Sequence, residues 1–237
     1  MLHIRNADVY VTGSNSKFLS SDVITQFRGR GDEIRVYPLS FSEYVSVYQG
    51  SQDEAWDDYL VYGGLPLILT MEEAEDKAEY LNSLFQKVYI SDIVERHNVR
   101  NKAELDELVD VLASAIGSYT NPNKLVRTFK SVKNKNISDK TIKNYTDYLI
   151  DSYLISKADR YDIKGKKHIG KLSKYYFEDV GLRNARLGFR QIEETHLMEN
   201  IIYNELRVRG YHVDVGVVEY YETKADGKRG KKQLEVD

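Results

Sequence analysis

Lysine is the residue type best placed to do chemistry in this chain. From Lys124 to Lys174, fourteen bases stand against five acids. Such a block can neutralise phosphates or an acidic partner surface. Lys140, Lys143 and Asn144 have a spacing that places them on one outward side of a helix, where they are the candidates to face nucleic-acid bases. Lys164, Lys166, Lys167 and Lys171 lie in and beside a Gly165 turn and are the candidates to touch phosphates. Lysine–phosphate contacts release counterions and give affinity without sequence readout. Asn144 alone has the type of a base reader, so weak sequence preference is expected. His196-x-x-Glu199 has the spacing of a metal pair on a helix. Hydrolytic zinc sites usually need three protein ligands, and His3, His97, His168 and His212 do not cluster near it. No Gly-x-Ser-x-Gly elbow is present, and no cysteine is available as thiolate ligand, nucleophile or disulfide partner. No Gly-x-x-x-x-Gly-Lys-Ser/Thr loop occurs. Gly227-Lys228-Arg229-Gly230-Lys231-Lys232 imitates it with the wrong spacing in a hairpin turn. ATP hydrolysis by these residues alone is therefore not expected, nor is a resident cofactor or metal.

The elements that must position these groups belong to a folded chain. Of its 237 residues, 41% are hydrophobic and 30% charged, too apolar for disorder. No stretch approaches a membrane helix, and Met1 to Asp8 lacks the pattern of a signal peptide, so a cytoplasmic, non-membrane protein is expected. Charge is segregated: Phe41 to Ala113 holds sixteen acids and five bases, and Lys224 to Lys232 holds five bases against Asp226. The blocks read either as solvated faces docked on one another or as an anion site in the middle of the chain.

Asp8 to Ser14 reads as a buried strand, Lys17 to Arg28 as a helix stopped by Gly29, and Glu33 to Leu39 as a second strand. Strand, helix and strand form a parallel unit, which reads as the end of a larger α/β domain. Phe41 to Lys102 is mostly helical, broken at Gly63-Gly64-Leu65-Pro66, with a long amphipathic run from Glu72 to Glu95. Helices follow over 103–116, 123–129 and 139–151, the second started by Asn121-Pro122 and the third capped by Ser138. Alternating strands over 154–161 and 171–177 complete a winged helix-turn-helix pattern. A helix over 193–209, a strand over 213–222, a turn at Asp226-Gly227 and a strand from Gln233 close the chain.

Several phrases in order resemble one prokaryotic family of AAA-type (AAA+) ATPases. They are Val11-Thr12-Gly13-Ser14, Gly29-Arg30, Tyr37-Pro38-Leu39-Ser40-Phe41-Ser42-Glu43-Tyr44 and Tyr62-Gly63-Gly64-Leu65-Pro66. Lys174 to Ala185, Glu199-Asn200 and Glu235-Val236-Asp237 continue the series. The resemblance implies a fold of α/β plus α parts. These are the edge of an AAA+ core over 1–40, a helical lid over 41–102, a winged helix over 103–177 and a truncated restriction-endonuclease-like region over 178–237. It implies that the family's P-loop lies outside these residues and that ATP and Mg²⁺ belong to the full-length protein. It also implies a nucleotide-sensing role there for Ser14, Asn15 and Arg30, and remnants of a nuclease metal site at Glu199 and Asp237 that are inactive here. The expected partner is DNA, with self-association possible. The alternatives are a protein-interaction module, in which the acidic and basic blocks pair, and a gene remnant without function.

Overall fold

The computed structural model describes residues 10, 34–132, 136–223 and 229–236. The expected strand over 8–14 and helix over 17–28 lie outside them, Tyr10 excepted. Residues 34–40 are irregular, not the strand that their β-branched pattern suggests. Ile34 and Val36 are 77% and 89% exposed. A strand needs a ladder neighbour, and here the Leu39 N–H instead donates to the Gly64 carbonyl at 2.8 Å.

Two short helices follow, α1 (Phe41–Val47) and α2 (Gln52–Tyr62). Each starts at a Ser-x-x-Glu capping box, Ser40/Glu43 and Ser51/Glu54. Gly63, at φ 77°, ends α2, and a 3-10 turn spans Pro66–Thr70. The expected single run over 72–95 is three pieces: α3 (Ala74–Leu84), a π turn (Phe85–Ile90) and α4 (Ser91–His97). Phe85 and Ile90 are both buried. Five residues apart, they would diverge on an α-helix, and the wider i→i+5 turn brings both to the core.

Next come α5 (Lys102–Ser114), α6 (Pro122–Val132) and α7 (Asp139–Asp151). The sequence signals for the last two hold. Asn121 Oδ1 accepts from Lys124 N at 2.7 Å, and Ser138 Oγ accepts from Thr141 N at 3.0 Å. Strands β1 (Ile155–Asp162) and β2 (Lys167–Phe177) form an antiparallel hairpin. A short helix α8 (Val180–Arg186), then α9 (Glu194–Val208), lead to a second antiparallel pair, β3 (Val215–Thr223) and β4 (Arg229–Val236).

The two hairpins share one sheet, in the order β2-β1-β3-β4. Arg160–Asp162 of β1 pair in parallel with Val215–Val217 of β3. The first hairpin therefore has β1 in the interior of a mixed sheet. The largest hydrophobic cluster runs from Ile68 and Leu81 through Leu105, Leu108 and Phe129 to Ile155, Phe177 and Leu182. It crosses residues 102 and 177 without a break. A second cluster joins Tyr44, Tyr59 and Leu60 to Val180, Leu197 and Ile201. A third joins Ile116, Ala158, Tyr176, Tyr203 and Val215 beneath the sheet.

Candidate functional site

Helix α7 buries Ile142, Tyr145, Thr146 and Leu149 and turns Lys140, Lys143, Asn144 and Asp147 to solvent. The helical period settles this, because the buried four and the exposed four lie on opposite sides. In the β1–β2 turn, Lys164, Lys166 and Lys167 are exposed. The turn is closed by Asp162, whose Oδ1 accepts from Lys164 N at 3.1 Å, and by the left-handed Lys166 at φ 49°. Lys171 lies within β2. Among the described residues Lys140, Lys143, Lys166 and Lys167 pair with no carboxylate, while Lys164 Nζ reaches the Glu219 carbonyl at 3.4 Å. The acidic block spends its ion pairs elsewhere: Asp58 on Lys77, Asp92 on Arg96, and Asp106 and Asp110 on Arg186.

Glu199 sits in a different place, where α9 crosses the sheet. Its Oε1 accepts from Lys174 Nζ at 2.8 Å and from the Tyr176 hydroxyl at 2.5 Å. The Lys174 side chain is 3% exposed and also pairs with Glu235 of β4. Strand alternation puts Lys174 and Tyr176 on the same face of β2, toward α9. Tyr176 stacks on Tyr203 at 4.2 Å. Gly117, at φ 71°, backs the cluster, and a Cβ there would lie 2.7 Å from Glu199 Oε2. Asn200 bonds both the N–H and the carbonyl of Phe177, at 2.8 and 2.7 Å, which fixes α9 against β2. The Lys174 ammonium thus fills the space between Glu199 and Glu235. Asp237 lies outside the described residues, as do Ser14, Asn15, Arg30 and His3.

The histidines are brought to separate places. His168 Nε2 lies 2.8 Å from Asp214, His97 stacks on Tyr148 at 3.8 Å, and His196 stands 3.6 Å from Glu193. Among the described residues no group of three or more His, Asp or Glu is arranged to hold a metal.

A buried polar joint, which the sequence marks only as two phrases, links residues 60–64 to 178–184. Asp179 caps α8, accepting from Leu182 N at 3.0 Å, and accepts from Gly64 N at 2.8 Å. Burial pushes its carboxyl up to about 6, against the pull of those backbone N–H groups. Asn184 Nδ2 donates to the Leu60 and Val61 carbonyls at 3.0 and 2.9 Å. Beside it, Glu178 accepts from Arg35 and Arg207, each at 2.9 Å, and from Ser156. The Arg35 guanidinium lies over the rings of Tyr37 and Tyr153. This ties the irregular segment at residue 35 to β1 and α9.

Comparison with known proteins gives a family. The model of a family described as "Domain of unknown function (DUF8612)" matches residues 53–193, more than half of the chain. An AAA domain model matches residues 2–45, an AAA-like relation. An uncharacterised protein of Haemophilus influenzae is 36% identical over 216 residues, covering 89% of this chain and 54% of that protein. An uncharacterised protein of Methanocaldococcus jannaschii is 29% identical over 216 residues, covering 86% of this chain and 48% of that protein. The chain thus spans about half the length of the curated relatives it matches.

Proposed function

The chain belongs to this domain family of unknown function, with an AAA-like stretch at residues 2–45, and from that premise we propose that it is the nucleic-acid-binding portion of an AAA-type ATPase. The observation that carries the reading is the set of exposed lysines on α7 and in the β1–β2 turn. Lys140, Lys143, Lys166 and Lys167 project to solvent and form no ion pair among the described residues, although Asp139 and Asp147 share the outward side of α7. Helix α7, the third helix of a winged-helix arrangement, faces the major groove with Asn144 toward base edges, and the turn follows the backbone. In this reading ATP and Mg²⁺ would act at a phosphate-cradling loop, which the 237 residues do not include. Arg35, within the AAA-like stretch, bonds Glu178, which also accepts from Arg207, so this joint is where that segment would bear on α9. The endonuclease-like end has no cutting role in this chain.

The test is fluorescence anisotropy of a labelled random duplex across a salt series. Log affinity is expected to fall linearly with log salt, and changing Lys164, Lys166 and Lys167 to Glu is expected to flatten that fall. No binding at low salt removes the reading and shifts weight to protein contact.

A further inference from the structure

We infer that the outward face of α6, carried by Lys124, Arg127 and Lys130, is a phosphate-contact surface for duplex nucleic acid. The inference rests on the nucleic-acid reading of α7 and adds a second element to it. From Val111 to Ser138 the sequence contains no Asp or Glu, yet it holds Lys124, Arg127, Lys130, Lys133 and Lys135. Helix α6 buries Leu125 and Phe129, at 2% and 0% exposure, against α7 and the main core. Asn123, Lys124, Arg127, Lys130 and Ser131 are exposed. Lys124, Arg127 and Lys130 recur every three residues, so they form one ridge about 9 Å long along the helix axis. That length covers two to three phosphates of one strand, at roughly 3.4 Å of duplex axis each.

These cations serve the fold only in part: Lys130, in the last turn, suits the helix dipole. Like charges three residues apart weaken a helix. Lys124 stands in the first turn, where the helix dipole favours an anion, and its ammonium is held by the Tyr119 carbonyl at 2.7 Å. Arg127 and Lys130 have no ion-pair partner among the described residues. A row of exposed cations that lacks ion-pair partners is suited to a polyanion supplied from outside. The competing polyanion is the acidic face of a second copy. Its Asp58, Asp92, Asp106 and Asp110 already hold internal cations, which leaves the exposed Glu72, Glu73, Glu75, Asp76 and Glu79 as the acids such a contact would use. Contacts by α6 would be sequence-independent, because backbone phosphates carry no base information.

The experiment uses the whole chain and its Arg127→Gln/Lys130→Gln double variant, with equal thermal midpoints as the check on folding. Anisotropy is read on two duplexes of unrelated sequence. The variant is expected to bind both at least tenfold more weakly at low salt, with a salt slope shallower by about 1.8, or about 0.9 for each of two phosphates. If the unsubstituted chain binds and the variant binds with unchanged slope, the α6 inference falls while the α7 reading stands. If the unsubstituted chain binds neither duplex, both fall. If sedimentation without nucleic acid shows self-association that the variant loses, and neither protein binds duplex, the face belongs to a copy–copy contact and the inference is overturned.

Discussion

Lys174 is 3% exposed, and its ammonium is shared by Glu199 of α9 and Glu235 of β4. The pairing joins three elements at one atom, so its loss strands two partly buried carboxylates. Lys174→Met is expected to cost about 2–4 kcal/mol, and Glu199→Gln, which keeps a hydrogen-bonding group, about half as much. Urea unfolding of the two variants checks the order, and a more stable Lys174→Met protein would sink the idea. The sequence picks out both Glu199 and the phrase beginning at Lys174, but for different reasons. Alternation says which face of β2 Lys174 takes. It does not say that α9 and β4 deliver carboxylates to that face, because they come from residues 25 and 61 positions later.

At the scale of elements, the start of α8 is set by one carboxylate that also holds the α2 exit. Gly63 is at φ 77° with its Cα against Asp179, where a Cβ would lie 2.3 Å from Oδ1. A Cβ on Gly181 would meet the Tyr62 carbonyl at 1.9 Å. The Asp179 carboxyl is raised from 3.8 to about 6 in the fold. The native state therefore holds a proton that the unfolded chain has lost between those pH values. Its contribution to stability is fully present below about pH 4 and is lost as pH rises through about 6, by at most about 3 kcal/mol. Asp179→Asn removes that dependence, and it also loses one acceptor at a cost of about 1–3 kcal/mol. Measured by urea unfolding at acid and neutral pH, the advantage of the unsubstituted protein over the variant is expected to shrink as pH rises. An advantage that grows instead refutes the assignment. The glycine phrase and the Asp179 phrase are each visible in the sequence. Their contact is not, since nothing local to residue 64 points to residue 179.

At the scale of the whole molecule, composition and charge blocks suggest separate parts, while packing joins them. One hydrophobic cluster contains Ile68, Leu108, Phe129, Ile155 and Leu182. A second ties α1 and α2 to α9. Such continuity predicts a single cooperative unfolding transition across these residues. The only tryptophan, Trp56, packs edge-on against Phe41 with ring centroids 5.1 Å apart, and so reports on the α1–α2 end. Its fluorescence is expected to change at the same urea concentration as far-UV circular dichroism. Separate midpoints would mean that the helical region and the sheet fold independently.

The sequence by itself determined the helices from 102 to 151, their caps at Asn121 and Ser138, the two hairpins, and the outward placement of Lys140, Lys143 and Asn144. All of these rest on period and capping, which act within a few residues. Tertiary structure alone decided that residues 34–39 are irregular, that a π turn divides the run from 72 to 95, and that β1 lies parallel to β3. It also decided that Lys174 stands between Glu199 and Glu235, and that Asp179 is buried against Gly64. Each of these depends on which distant surface fills the space beside a residue. Close packing settles that choice only when the whole chain is assembled.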